Sequence, residues 1–474
     1  MYVDTLITNG FVLTMDDSFA VLEDGSVGIL DGEIVEIGST ERLKSELDAR
    51  QIVDASAKLV LPGLINSHVH VADILSRGLG SYRILHDWKT NAKGPFVAAM
   101  ETADHEVSSE LYCHETISSG ITTFVENAGS IGAGYPEEIV EAKLRIYDEA
   151  GIRNIYAHGF VTDPIDGELA AVQATFADKH PEVTHPTHTH VSTADGLKRV
   201  KSLLESYHGT AEGRQSVWPA PYLARSVSPE GLMGAYELAE EYDVMTTTHT
   251  AEAEFTERKP LSSVEYLHSV GYLGERCLLG HCVQIDDRDI QLLADSGTKV
   301  AHNMASNLAL ASGIAPIPKM RRAGISTGIG TDNACLSDMV NMFADMRMVS
   351  LVHNGYTRNP QAITAKQTLS MATKEGAEAI GRGDDLGSIE IGKQADIILV
   401  ELEHPHLTPM TNPYRTVVNQ LRGHEVTTVI CNGKPIMEDG AVLSLEKSSA
   451  ELRTDAIDTA ETIIERVGLE NLRS

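Results

Sequence analysis

The sequence predicts an α/β chain: a (β/α)8 TIM-like barrel with a small β-sandwich built from both chain ends. Three observations carry that expectation. From about residue 60 to 388, apolar strand candidates alternate with amphipathic helical stretches, the cadence of parallel strands joined by crossovers. Residues 2 to about 58 instead alternate apolar and polar positions between turn signals, as in Thr5-Leu6-Ile7-Thr8-Asn9-Gly10 and Ile29-Leu30-Asp31-Gly32-Glu33-Ile34. That strand-and-turn chemistry returns only after residue 389, in Ala395-Asp396-Ile397-Ile398-Leu399-Val400 and Val429-Ile430-Cys431-Asn432-Gly433.

The expected organisation is therefore residues 1–60 as the first part of the sandwich, 61–388 as the barrel, 389–445 as the second part and 446–474 as a C-terminal helix. Asn-Gly and Asp-Gly between strand-like runs predict hairpins, since both residues tolerate the positive φ that tight turns demand. Residues 107–118 read as a helix before a strand at 120–126, residues 136–150 as a helix before 152–157, and residues 229–242 as a helix before 244–249. The stretch 448–467 is rich in Ala, Glu and Ile and suits a terminal helix.

At 474 residues the chain can bury a large core, and its net charge of −30 argues against nucleic acid, because 38 basic residues are dispersed among 68 acidic ones. Such acidity favours solubility and is compatible with a salt-rich cytoplasm. Five cysteines without CxxC spacing fit a reducing interior and read as small buried hydrophobes. The start has no basic, apolar leader and no run approaches membrane-spanning length, so the expectation is a cytoplasmic protein without a membrane partner.

In a parallel barrel, functional groups sit at the carboxyl ends of strands. The run Leu59-Val60-Leu61-Pro62-Gly63-Leu64-Ile65-Asn66-Ser67-His68-Val69-His70 ends in two imidazoles two residues apart, which an extended chain points to one side. Val244-Met245-Thr246-Thr247-Thr248 ends in His249, with Glu252 three residues on; Leu278-Leu279-Gly280 ends in His281; Gly328-Ile329-Gly330-Thr331 ends in Asp332-Asn333. Nitrogen and oxygen donors without thiolate suit Zn(II) or Fe(II) and leave a position for water. Glu252 is then placed to shuttle a proton and His281 to receive it or to orient the water. Each residue also has an ordinary reading: Glu252 as one of several solvated charges, His281 as a core histidine, Asp332 as a turn residue. Jointly those readings are weaker than one shared site. A second His-x-His, in Thr184-His185-Pro186-Thr187-His188-Thr189-His190, follows no apolar strand and reads as a surface loop. Gly129-Ser130-Ile131-Gly132-Ala133-Gly134 lacks the spacing of a phosphate-binding loop.

Pro62-Gly63-x-x-Asn66-x-His68-x-His70, His249-x-x-Glu252, Gly280-His281-Cys282, Ser306-Asn307-Leu308 and Gly330-Thr331-Asp332 resemble, in order, the signature elements of the amidohydrolase superfamily. Within it the chain is most similar to the atrazine chlorohydrolase and melamine deaminase group, supported by Val125-Glu126-Asn127-Ala128 and Ser216-Val217-Trp218-Pro219-Ala220-Pro221. The resemblance implies one divalent metal ion, Zn(II) or Fe(II), held by His68, His70, His249 and Asp332, with Glu252, His281 and Asn333 as catalytic groups. The implied reaction displaces an amine, ammonia or chloride from an electron-poor N-heteroaromatic ring by water activated at the metal. An adenosine-type deaminase, acting on S-adenosylhomocysteine or methylthioadenosine, is the alternative, and a non-catalytic scaffold of the same fold is a third. A small heterocyclic substrate and a homo-oligomer are implied as partners.

Two departures bear on substrate. Leu336 stands where the chlorohydrolase type carries serine and the deaminase type cysteine, and Val71-Ala72-Asp73 replaces Val-Asn-Gln, placing a carboxylate where a neutral amide is expected. Asp73, Trp88, Asn127, Tyr222 and Leu336 are the expected substrate-binding residues. Asp73 is free to pair with an amino-bearing substrate or to cap a helix, and Tyr82, Trp88 and Tyr222 are candidate pocket walls or core.

Overall fold

The computed structural model describes residues 1–129, 134–162, 191–254 and 260–472. The second His-x-His at 184–190 and the core of the glycine-rich stretch at 130–133 lie outside the described residues. The first thirteen residues make β1 (Tyr2–Leu13), followed by β2 (Val21–Leu30), β3 (Glu33–Ser39), β4 (Asp48–Asp54) and β5 (Lys58–Pro62). With β15 (Ile397–Glu401), β16 (Val426–Cys431), β17 (Lys434–Glu438) and β18 (Ala441–Val442) they form one nine-stranded mixed sheet in which β5 and β15 pair, joining the two chain ends. The sheet folds over its own core of Ile7, Val27, Ile29, Val60, Ile397 and Ile430, and a bridge from Glu33 to Gln394 closes the fold-over.

Asp31-Gly32 and Asn432-Gly433 turn β2 into β3 and β16 into β17, all four residues at positive φ between 50° and 86°. Asn9-Gly10 does not make the expected hairpin. β1 runs straight through it, with Asn9 at φ 61° and a shift of register against β2. The local kink works as a bulge: residues 2–8 of β1 pair with β4, and residues 11–12 pair with β5. A turn signal inside a strand thus serves a change of partner.

The barrel holds β6 (Leu64–His70), β7 (Ile121–Ala128), β8 (Arg153–Phe160), β9 (Gln215–Pro221), β10 (Thr246–Thr250), β11 (Cys277–His281), β12 (Lys299–His302) and β13 (Thr327–Ile329), all neighbours parallel. Two local pairings close it. Leu223, just past β9, bridges His249 on β10. Beyond β13 the chain switches neighbours, and β14 (Asp332–Asn333) pairs with Val69 and His70 of β6. The run expected as one strand, 59–70, is divided: β5 belongs to the outer sheet and β6 to the barrel. Gly63 is the joint, where a Cβ would come within 2.1 Å of Thr122 Oγ1.

Helices Thr102–Ser118, Glu137–Glu149 and Pro229–Glu241 coat the barrel, and Ser449–Val467 packs on the first of them. A buried ion pair, Arg153 to Asp396 at 3.2 Å, ties β8 to the outer sheet. All five cysteines are buried thiols. Among the described residues no helix is long and apolar enough to cross a membrane.

Candidate active site

The strand ends converge. His68 and His70 leave β6 on one face, His249 lies one residue from the end of β10, His281 ends β11, and β14 delivers Asp332. His68, His70 and His249 present nitrogens that all lie within 4.8 Å of one another, as do the ligand atoms of His68, His281 and Asp332. His70 Nε2 is 3.1 Å from His249 Nε2, and Asp332 Oδ1 is 3.5 Å from the Nε2 of both His68 and His70. All are buried. Ala251, His281, Cys282 and Asp332 have φ between 48° and 71°, a costly conformation for side chains with a Cβ that concentrates where function demands a fixed geometry.

The far side of each ring is held. His70 Nδ1 donates to the Asn127 carbonyl and His249 Nδ1 to the Tyr222 carbonyl, both at 2.8 Å, so each Nε2 keeps its lone pair for the centre. His68 Nδ1 lies 2.9 Å from Asn127 Nδ2, so the Asn127 amide holds the far side of that ring. His281 Nδ1 donates to Asn307 Oδ1 at 2.9 Å and turns Nε2 towards Glu252, 3.9 Å away. Asp332 accepts from Ser306 Oγ and, at 2.8 Å, from Asn333 Nδ2. Gly330 permits this approach, since a Cβ there would sit 2.7 Å from that of His68.

Burial pushes His68, His70 and His249 below their ordinary range, which keeps the imidazoles neutral. Burial works against the Asp332 charge, yet His68, 3.5 Å away, and the surrounding imidazoles hold its carboxyl well below the usual range. Neutral imidazoles facing an ionised carboxylate are the protonation states a cation requires. Among the described residues His68 Nε2 is buried with no hydrogen-bond partner, which a coordination bond would supply. The residues fit one divalent cation.

The substrate-side expectations divide. Tyr222, 4% exposed, faces His249 with ring centroids 5.1 Å apart. Asn127 lies behind the histidines, its carbonyl on His70 and its amide against His68. Trp88 is core, 1% exposed and packed with Leu85, Ala92 and Leu310, and Leu336 rests half-buried against the same cluster. Tyr82 is fully exposed. Asp73 neither caps a helix nor waits for an amine: it is 2.8 Å from Lys93 Nζ, both side chains almost wholly buried. Lys93 also donates to Asn333 Oδ1 at 2.8 Å, so the Asn333 amide is occupied at both ends. Desolvation opposes the Lys93 charge, but Asp73 outweighs it and holds the ammonium above its ordinary range.

Lys93 was not foreseen, nor was Lys89, whose Nζ lies 3.7 Å from Glu252 Oε2 and 5.6 Å over the Tyr222 ring. Both belong to one wide helical turn, Lys89–Lys93, of the π kind found at functional sites. The available signal was their spacing of four, which puts both on one face beside Trp88.

A family model described as the amidohydrolase family matches residues 59–436, and the chain belongs to that family. It is a hydrolase of that class. The 5′-deoxyadenosine deaminase of Methanosarcina barkeri is 32% identical over 469 residues, covering 98% of this chain and 99% of its own. The S-triazine hydrolase of Gordonia rubripertincta is 32% identical over 480 residues, covering 99% and 98% respectively. An adenosine deaminase from Xanthomonas campestris, solved with bound zinc, superposes with a TM-score of 0.86 at 25% identity, over 98% of this chain and 99% of its own. The triazine branch is thus represented, but deaminases of adenosine-type substrates weigh more heavily among the relatives, which reverses the expected order of the two enzyme readings.

Proposed function

We propose that this chain is a metal-dependent deaminase of adenosine-type substrates, with 5′-deoxyadenosine or a 5′-thio analogue as the chemical class. The observation that carries the reading is Glu252. Its Oε2 is buried, has no hydrogen-bond partner among the described residues, and points between His281 Nε2 at 3.9 Å and Lys89 Nζ at 3.7 Å, beside the imidazole and carboxylate set. His68, His70, His249 and Asp332 would hold the cation, which when bound lowers the pKa of water and supplies a nucleophile at neutral pH.

Each remaining step belongs to side chains. Glu252 takes the proton of the attacking water at Oε2 and delivers it to a ring nitrogen, making the adjacent carbon electron-poor. His281, its Nδ1 anchored on Asn307, keeps Nε2 directed at the oxygen being added. The second proton passes to the departing amine, so water and an aromatic amine become an oxo-heterocycle and ammonia. Asn333 and Asn127 are positioning residues, since they touch Asp332, His68 and His70. Tyr222 offers an aromatic face next to His249 for a flat ring.

The test is ammonia release from 5′-deoxyadenosine, methylthioadenosine, S-adenosylhomocysteine and amino- or chlorotriazines, with metal content measured alongside. Ammonia from the nucleosides supports the reading. Turnover confined to triazines, with ammonia or chloride released, replaces it with the triazine hydrolase reading that the Gordonia relative supports.

A further inference from the structure

A second cluster of ligating groups lies away from the barrel mouth, where β15 leaves the outer sheet and β16 enters it. Val400 and Val426 are paired across these strands, so the residues just beyond them, His404, His406, His424 and Glu425, emerge at the same end. The three imidazoles face one another, with ring centroids 5.4 Å apart for His404 and His406, 6.0 Å for His404 and His424, and 6.2 Å for His406 and His424. At the barrel mouth the corresponding spacings are 4.9 to 5.4 Å.

Glu425 sits at the base. Its side chain is 0% exposed, while His406 is 25% and His424 60% exposed. One carboxylate oxygen, Oε2, accepts from the backbone N–H groups of Arg422 at 2.9 Å and Gly423 at 3.0 Å, which fixes the carboxylate plane. The other, Oε1, is aimed outward at the imidazoles, 2.8 Å from His406 Nε2 and 3.5 Å from His424 Nε2. A buried carboxylate pinned by neighbouring backbone N–H groups and presenting a single oxygen to partly exposed imidazoles is a built arrangement.

We propose that His404, His406, His424 and Glu425 form a structural site for a divalent transition-metal ion of the zinc type. Three imidazole nitrogens and one carboxylate oxygen complete a tetrahedral shell without leaving a position for water, the pattern of structural rather than catalytic centres. Imidazole donors select zinc, nickel or copper over magnesium and calcium. With metal–nitrogen bonds of about 2.0–2.1 Å, tetrahedral imidazole centroids sit about 5 Å apart. To share one ion the imidazole nitrogens must draw together, and His424, 60% exposed and the most distant of the three rings, has room to turn inward. The bound ion clips the exit of β15 to the entry of β16, the neighbouring strands at the centre of the outer sheet.

The test uses the full chain, without appended histidines, stripped of metal and titrated with Zn(II), with Co(II) as a spectroscopic probe. Two equivalents are expected per chain, the weaker one raising the melting temperature by several degrees and giving tetrahedral Co(II) absorption. H406Q/H424Q should lose the weaker equivalent and its thermal shift while retaining the tighter one and full turnover. A single equivalent in the parent chain overturns the proposal, as does a second equivalent that survives the double substitution. Neither result touches the barrel-mouth reading, which depends on the tighter equivalent.

Discussion

Replacing Lys93 by methionine removes one charge from an almost fully buried pair, together with the ammonium that sits 5.1 Å over the Trp88 ring, and keeps an unbranched apolar side chain. Asp73 would then stand unpaired in a site where it is 1% exposed. Breaking such a pair from one side costs about 3–5 kcal/mol, chiefly the price of a stranded charge. With an unfolding entropy of about 2.1 cal/mol/K per residue, the 474-residue chain loses about 1 kcal/mol per degree near its midpoint. K93M should therefore lower the melting temperature by about 3–5 °C. Adding D73N removes the stranded charge, so the double variant should recover most of that loss, and the two substitutions should couple strongly in a double-mutant cycle. Calorimetry on metal-stripped protein separates this from any change in metal affinity. A K93M melting temperature within about 1 °C of the parent, or a double variant no more stable than K93M, would refute the argument that this carboxylate depends on its lysine.

E252Q keeps size and polarity but cannot carry a proton; kcat should fall about 10²- to 10⁴-fold with metal content unchanged, and turnover within tenfold of the parent would take Glu252 out of the mechanism. Asp345 is buried, and its desolvation, reinforced by nearby Asp332, raises its pKa from 3.8 to about 8. Between those values the native chain holds a proton that the unfolded chain has released, so stability from this group is complete below about pH 4 and declines towards pH 8. D345N should flatten that decline in metal-free protein, gaining on the order of several kcal/mol at pH 8; urea midpoints of parent and variant at pH 5 and pH 8 that shift in parallel would contradict it.

The amino-acid sequence by itself determined the barrel, the shared sheet of the two chain ends and the polar strand ends, because each is written in short-range pattern: alternation for strands, crossover cadence for parallel pairing, and a polar residue where an apolar run stops. It also identified Asp73 as unusual for its place. Only the tertiary structure decided what that carboxylate meets. Lys93 lies twenty residues along the chain and Asn333 far beyond, and no local pattern encodes a contact between them. The same holds for Trp88 and Tyr222, two aromatics of equal promise in the sequence, of which the packing buries one in a core cluster and lays the other beside His249. Asn9-Gly10 makes the point in miniature: its positive φ was legible, but whether it turned a hairpin or kinked a strand depended on β4 and β5 waiting on either side. Conformational preference is a property of a few neighbouring residues, whereas partner choice is a property of the packed whole.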